Sequence, residues 1–143
     1  MIEQVNKELV AFAPMRQKIE DSIKGLLGAK GLELEIEEVA RDPEFFADSS
    51  QLEFVFMNLL SKMVNFCDQG KIQLWVSVTE SGGAHLVQIF NRDQNIQQDD
   101  YHQLVNTFEK RGDKSKNIVE AHGGRLWLDI ENGIEFGFTI PLG

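Results

Sequence analysis

The chain has 143 residues, 42% of them hydrophobic, which is enough to form the buried core of one domain. Its 14 basic and 23 acidic side chains give a net charge of −9, and such a surface repels nucleic acid and anionic membrane, so neither is expected as a partner. The single cysteine, Cys67, excludes an internal disulfide, and no apolar run approaches the ~20 residues of a membrane span, so a cytoplasmic domain is expected.

The first part of the chain predicts a strand, a helix, a second strand and a long helix. Residues 8–12 suit a short strand, and Pro14 suits the first turn of a helix that ends at the glycines of residues 28–31. Apolar and acidic residues alternate over 32–37, as in a strand with one buried face. Asp48-Ser-Ser50 then supplies acceptors for a helix start, and a broad apolar stripe follows at helical spacing.

The middle of the chain predicts an antiparallel hairpin. Residues 72–78 and 86–90 alternate in polarity, and Ser81-Gly-Gly83 between them is typical of a turn. A polar loop is expected over 91–100.

The last part of the chain predicts two helices and a second hairpin. One helix is expected around 101–108, and another carries Ile118 and ends at Gly123-Gly124. Strands are expected at 126–130 and 134–140, joined through Glu131-Asn-Gly133.

The order of these elements is strand-helix-strand, helix, two strands, helices, two strands. Clustered strands with helices able to cover one face favour an α+β fold, a two-layer sandwich with a mixed, mostly antiparallel sheet. Residues 8–143 are expected to form this domain. Residues 1–7 are either the end of a preceding helix or a cloning remnant.

Two segments carry a resemblance to a known family. They are residues 58–66 (NLLSKMVNF) and residues 118–127 (IVEAHGGRLW). Both resemble the ATP-binding catalytic domain of sensor histidine kinases, within the family shared with gyrase B, Hsp90 and MutL. Element order extends the resemblance from about Glu8 to Leu142. It implies the Bergerat type of two-layer sandwich, ATP with Mg²⁺ as cofactor, and a histidine-bearing dimerisation segment or a response regulator as partner.

In that family, three polar residues on one face of the central helix point toward the nucleotide. The matching positions here are Asn58, Lys62 and Asn65. The family has a magnesium-binding asparagine where this chain has Lys62, and an ammonium offers no oxygen to a hard cation. Lys62 would either snorkel to water or touch a phosphate. Asn58 would either keep the family role or bond a neighbouring loop.

The family's adenine-binding motif, an aspartate followed by alternating glycines, aligns by position with residues 91–96 (NRDQNI). The resemblance implies that the oxygen of Asn91 would accept a hydrogen bond from the adenine amino group. Asp93 and Asn95 replace glycines and would crowd the adenine pocket. The alternative interpretation is a solvated polar loop.

Residues 109–117 stand where the family has its glycine-rich lid, and Gly112 is the one glycine there. This segment also holds the chain's compact basic patch, a possible phosphate contact, formed by Lys110, Arg111, Lys114 and Lys116. The alternative is a charged loop that leads into a helix capped by Asp113 or Ser115.

These departures together favour a degenerate catalytic domain, a pseudokinase that serves as a regulatory or docking module of two-component signalling or a phosphorelay. None of the histidines (His85, His102 and His122) has the context of a phosphoacceptor, and no catalytic residue, metal ligand or required cofactor is assigned. One alternative is an active ATP-binding kinase domain that phosphorylates a histidine on an absent segment or partner. A third is a phosphotransfer or anti-sigma-like protein. No direct membrane contact is expected.

Overall fold

The computed structural model describes residues 4–39, 41–94, 96–109 and 113–142. Within these ranges the chain forms, in order, β1 (Glu8–Ala11), α1 (Phe12–Lys30), β2 (Glu33–Glu38), β3 (Glu44–Ala47), α2 (Ser49–Phe66), β4 (Lys71–Val78), β5 (Ala84–Asn91), α3 (Gln98–Glu109), α4 (Lys114–Ala121), β6 (Leu126–Asp129) and β7 (Ile134–Pro141).

The main sheet has five strands in the order β2-β4-β5-β7-β6. The pair β2–β4 is parallel, and the other three pairs are antiparallel. Helices cover one face of this sheet, so the α+β, two-layer sandwich with a mixed, mostly antiparallel sheet is confirmed. Among the described helices, none is both long and apolar enough to cross a bilayer.

A small second sheet was not predicted from the sequence. Strand β3 pairs antiparallel with β1, and Leu9 lies opposite Phe46. Strand β3 has four residues, Glu44–Ala47, which are too few to show alternation in a single sequence. Before β1, residues 4–7 have no regular structure, and the N–H of Asn6 donates to the Asp48 carboxylate.

The helix ends follow local chemistry. Helix α1 continues through residue 28 and ends at Gly31, which adopts the left-handed conformation with φ of 66° that favours glycine. Helix α2 begins after Asp48, whose side chain accepts a hydrogen bond from the N–H of Gln51, as expected of an N-cap. The predicted loop over 91–100 is shorter than expected, because β5 includes Asn91 and α3 begins at Gln98.

The core lies between the helices and the inner face of the sheet, and α2 lies at its centre. The phenylalanines Phe12, Phe45, Phe56 and Phe138 are fully buried. The ring centroids of Phe12 and Phe56 are 5.6 Å apart, and those of Phe56 and Phe138 are 5.4 Å apart. Each such side chain stabilises the fold by roughly 1.5–3 kcal/mol through burial, so α2 is held rigidly over the sheet.

The other face of the sheet carries two tryptophans. Trp75, Gln88, Gly137 and Trp127 lie side by side across β4, β5, β7 and β6. The indole of Trp127 covers Gly137 so closely that a Cβ there would lie 2.3 Å from the ring. A side chain at position 137 would therefore have to displace the Trp127 ring, and this contact adds to the backbone pairing between β6 and β7.

Candidate functional site

The polar face of α2 lies against the N-terminal half of α4. Asn58 and Lys62 are both half-buried there, one turn apart on the helix. Asn65, a further turn along, is exposed. The structure therefore separates the three residues that the resemblance groups together, because only Asn58 and Lys62 face α4.

Lys62 forms an ion pair with Asp113. Its Nζ lies 2.8 Å from Asp113 Oδ2, and the two side chains are only 16% and 5% exposed. Asp113 is also the N-cap of α4, since its Oδ1 accepts a hydrogen bond of 3.0 Å from the N–H of Lys116. Lys62 therefore fits neither interpretation made from the sequence: its ammonium group does not reach into water, and it is not free to contact a phosphate. Of the two caps considered for α4, the structure has Asp113.

Asn58 makes the second contact between the two helices. Its Nδ2 donates to the hydroxyl of Ser115, which is fully buried. The partner is thus a residue of α4 and not of a loop. A buried hydroxyl that lost this bond would be left unsatisfied, so the contact fixes Asn58 in place.

His122 makes a third contact at the other end of both helices. Its Nε2 accepts a hydrogen bond of 3.0 Å from the N–H of Asp48, and its Nδ1 donates over 2.8 Å to the carbonyl of Ile118. These bonds require the neutral tautomer protonated at Nδ1. His122 thus joins the end of α4 to the start of α2. We refer to the pairs Lys62–Asp113, Asn58–Ser115 and Asp48–His122 as the α2–α4 clasp.

The carboxylate of Asp48 is held in its charged form. Burial works to raise its pKa, but hydrogen bonds from the N–H groups of Asn6 and Gln51 and from the hydroxyl of Ser50 outweigh burial and lower the pKa below its usual value. The N-terminus of α2 therefore carries a stable negative cap.

Asn91, the expected adenine contact, is fully buried and has local partners. Its Nδ2 donates over 2.9 Å to the carbonyl of Gln69, and its Oδ1 accepts over 2.9 Å from the N–H of Asp93. Asp93 packs on Gly70, where a Cβ would lie 2.8 Å from the Cβ of Asp93. The side-chain oxygen of Gln94 accepts from the N–H of Asp68. The segment is thus folded onto the connection before β4, with Asn91 and Gln94 buried and Arg92 and Asp93 exposed. Asn95 lies outside the described residues.

A cleft of about 710 Å³ opens between the C-terminal end of α2 and α3. Lys30 crosses its rim, and its Nζ donates to the carbonyls of Val64 and Asn65 over 2.7 and 3.2 Å. Burial raises the pKa of the Cys67 thiol, which makes this residue a poor nucleophile. Asn91 is not part of the lining, which comprises Lys30, Lys62, Asn65, Phe66, Cys67, Asp68, Gln94, Asp100 and Gln103.

The basic patch is described only in part, since Lys110, Arg111 and Gly112 lie outside the described residues. Nζ of Lys114 lies 4.7 Å from the ring centroid of Phe54 on α2. Lys116 lines a separate groove beside β6. The two described cations therefore face different surfaces. In the part of the chain that is described, no group of three or more His, Cys, Asp or Glu side chains could hold a metal ion.

Sequence reasoning missed the roles of two clasp partners. Asp113 and Ser115 were considered only as caps of α4, and the structure brings them to Lys62 and Asn58, more than fifty positions earlier in the chain. No local pattern signals a contact over such a separation. The opposite charges of Lys62 and Asp113 were the one available indication.

Comparison with known proteins finds sequence relatives that include a phytochrome-like protein and a sensory kinase. The chain is 27% identical over 149 residues to the phytochrome-like protein Cph1 of Synechocystis, covering 93% of this chain and 18% of Cph1. It is 27% identical over 160 residues to the adaptive-response sensory kinase SasA of Synechococcus elongatus, covering 97% of this chain and 40% of SasA. The chain thus spans less than half the length of these relatives. No protein-family profile matches it.

Solved structures match the whole fold. The histidine kinase AdeS of Acinetobacter baumannii superimposes with a TM-score of 0.80 at 16% identity, covering 99% of this chain and 70% of that one. ShkA, solved at full length in complex with AMPPNP, superimposes with a TM-score of 0.80 at 18% identity, covering 100% of this chain and 32% of ShkA. The histidine kinase ThkA, solved in complex with the response regulator TrrA, superimposes with a TM-score of 0.77 at 18% identity, covering 97% of this chain and 42% of that one. This chain has the fold of the histidine kinase catalytic domain of two-component systems and resembles sensory kinases in sequence.

Proposed function

We propose that this chain is a degenerate histidine-kinase-type catalytic domain that acts as a regulatory or docking module in two-component signal transduction, with nucleotide binding weak or lost. The clasp contact between Lys62 and Asp113 carries this proposal. The family resemblance implies a magnesium-binding asparagine at the position of Lys62. In this chain that position holds a cation whose charge is neutralised inside the protein.

A nucleotide would have to break the clasp to use these residues. If Lys62 turned toward a phosphate, the carboxylate of Asp113, 5% exposed, would lose its partner. Leaving one member of such a pair alone costs about 3–5 kcal/mol when the site is fully buried, which would offset much of the binding energy. Asn58 likewise would leave Ser115 unsatisfied. The residues at this face do not fit Mg²⁺-ATP.

The expected adenine contact supports the same proposal. Both functional groups of Asn91 are engaged by Gln69 and Asp93, and the side chain is fully buried. Asn91 is also absent from the lining of the cleft, so a ligand in that cleft would not contact it. The Asn91 oxygen is therefore buried away from the cleft, and the charge of Lys62 is neutralised within the protein.

Calorimetric titration of the chain with ATP and Mg²⁺ tests the proposal. We expect no saturable heat at micromolar ATP, with or without the metal. A micromolar affinity that depends on Mg²⁺ would overturn the proposal. If ATP did bind, the variant Asn58→Ala would show whether the clasp residues take part. An affinity for ATP that Asn58→Ala leaves unchanged would place the nucleotide in the cleft without contacts to the clasp.

The second candidate is an active ATP-binding kinase domain that phosphorylates a histidine on an absent segment or partner. The cleft of about 710 Å³ beside Lys62 favours it, because its size is within the range of ligand sites. The complex of ShkA with AMPPNP also supports it, as an ATP analogue held by a protein of the same fold.

Thermal unfolding with ATP or ADP separates the two candidates, since a ligand of the folded state raises the melting temperature. The second candidate requires a shift that Lys62→Ala abolishes and that Lys18→Ala, on the exposed surface of α1, leaves intact. Absence of a shift with any nucleotide would exclude it.

For partners, we propose a response regulator or a histidine-bearing dimerisation segment. The complex of ThkA with the response regulator TrrA supports the first choice by fold. Biolayer interferometry against purified response regulators should detect specific binding. Binding to sigma factors in place of response regulators would instead favour an anti-sigma-like role.

A further inference from the structure

The two edges of the five-stranded sheet differ in how they are protected. At one edge, β2 presents three exposed glutamates on alternate residues, Glu33, Glu35 and Glu37. Glu35 is paired with Lys71 over 2.9 Å, and the other two add negative charge. Charged side chains along an edge strand discourage another strand from pairing with it. The β2 edge is thus closed to further strands.

The opposite edge, β6, has backbone groups directed outward. The N–H of Thr139 donates to the carbonyl of Arg125 over 2.9 Å, which makes these two residues a hydrogen-bonded pair of the hairpin. Such pairs alternate along an antiparallel ladder, so Trp127 also bonds to β7. Leu126 and Leu128 therefore direct their N–H and C=O groups away from β7. Among the described strands, none pairs with β6 on that side.

A groove of about 420 Å³ runs beside this edge. Tyr101 and Val105 of α3 form one wall. The half-buried side chains of Leu126 and Leu128 face the same space, together with Ile130 just beyond the strand. Apolar side-chain contacts are thus available next to unpaired backbone donors and acceptors, which are the two requirements for binding an extended peptide as an added strand.

The charges around the groove indicate the kind of peptide. Asp129 and Glu131 lie along it against one cation, Lys116, so its lining is net negative. Among the described residues, no ion pair involves Asp129, Glu131 or Lys116, and the Asp129 carboxylate accepts a hydrogen bond from the N–H of Glu131. The whole chain also carries −9, so a second copy would bring like charge to the same surface. An occupant with basic side chains is favoured over self-association.

We propose that the β6 edge and its groove bind an extended protein segment in which apolar residues alternate with lysine or arginine. The segment pairs with the backbones of Leu126 and Leu128 and places its apolar side chains against Val105 and Tyr101. Its basic side chains lie near Asp129 and Glu131. This docking surface is separate from the α2–α4 clasp, so it goes beyond the proposed function and holds whether or not a nucleotide binds.

Hydrogen exchange with a synthetic peptide tests the proposal. The probe is the acetylated and amidated heptapeptide with the sequence KVKVKVK, with EVEVEVE as the charge control. A KVKVKVK peptide N-methylated on every residue, so that neither of its edges has a donor from these residues, tests the backbone pairing at unchanged charge. The NMR spectrum of the full chain should show slowed exchange of the Leu126 and Leu128 amides with KVKVKVK alone. The Trp127 amide, already bonded to β7, should change little.

Two variants locate the binding surface. Val105→Lys fills the groove with a cation and should weaken binding at least tenfold, while Glu131→Lys should weaken it about threefold, as expected of an exposed charge. Glu33→Lys makes the same charge change on the β2 edge and should leave the affinity within about twofold of the unsubstituted chain, because that edge is remote from the groove.

Several results would overturn the proposal. They are absence of binding at millimolar peptide, equal binding of the N-methylated peptide, slowed exchange at the β2 amides, and an affinity indifferent to Val105→Lys. Sedimentation showing a dimer that Val105→Lys dissociates would assign the edge to a second copy of the chain instead.

Discussion

The α2–α4 clasp and the β6 edge are two surfaces of one small domain with opposite character. In the clasp, side chains at family positions meet partners inside the protein: Lys62 pairs with Asp113, and Asn58 donates to Ser115. At β6, no family motif contributes chemistry, but the backbone groups of Leu126 and Leu128 point outward beside an apolar groove. The surface that resembles a ligand site has its polar groups paired within the protein, and the surface to which the resemblance assigns no chemistry has backbone groups available for binding.

This difference shows that a motif match and an available binding group are separate properties. A polar residue contributes to binding only if the folded protein leaves its hydrogen bonds or charge to the ligand. Lys62 and Asn91 do not meet that condition. Substitutions in the clasp should therefore change stability, and substitutions at the groove should change association.

The largest expected effect is in the clasp. Lys62→Met keeps the apolar stem but removes the charge, and it should lower the free energy of unfolding by about 3 kcal/mol, because the Asp113 carboxylate stays buried without its partner. Chemical denaturation measures this change. Adding Asp113→Asn, which keeps a capping side chain, should recover most of the loss. A loss below about 1 kcal/mol in the single variant would show that the pair behaves as an exposed one.

The next largest effect on stability is expected where Trp127 of β6 packs on Gly137 of β7. Gly137→Ala inserts a Cβ 2.3 Å from the Trp127 indole and should destabilise the fold by about 1–3 kcal/mol through overpacking. Gly25→Ala is the matched control, because nothing lies within 4 Å of a Cβ at that position of α1. It should stabilise the helix by about 0.5–1 kcal/mol. Equal effects of the two substitutions on the melting temperature would contradict the close packing of Trp127.

A smaller effect is expected at Asn58. Asn58→Ala should lower the free energy of unfolding by about 1 kcal/mol, since it leaves the buried Ser115 hydroxyl without a partner. Asn65→Ala removes the same side chain from an exposed position of α2 and should have an effect within about 0.5 kcal/mol of zero. If Asn65→Ala were the more damaging of the two, the assignment of Asn58 to the clasp would be wrong.

The smallest expected effect is on how the free energy of unfolding depends on pH in the acid range. The pKa of Asp48 is lowered in the folded protein, so its carboxylate contributes stability that is present above the ordinary aspartate pKa of about 3.9. That stability is lost as the pH falls through the lower, folded pKa. Asp48→Asn keeps a capping oxygen and should remove this part of the acid dependence, at a loss below about 1 kcal/mol at neutral pH. Urea unfolding of Asp48→Asn and of the unsubstituted chain between pH 2 and 7 measures this difference. If the free energy of unfolding fell equally with pH in both proteins, Asp48 would make no such contribution.

Patterns within one element allowed most of the fold to be predicted from the sequence. The apolar stripe of α2, the Asp48 cap and the turn at residues 131–133 depend on neighbours in the chain, and the structure confirms all three. Strand β3 was missed because four residues carry too little pattern. The partners of Lys62 and Asn91 depend on how elements distant in the chain pack together, and no local sequence pattern predicts that packing.

The position of Trp127 has a practical consequence. Its indole packs on Gly137, and the residue lines the groove beside β6, while Trp75 lies on β4, which β5 and β7 separate from β6. A bound segment would change the polarity around one indole and leave the other nearly unaltered. Replacing Trp75 with phenylalanine would therefore leave a protein whose intrinsic fluorescence reports occupancy of this edge without any added dye.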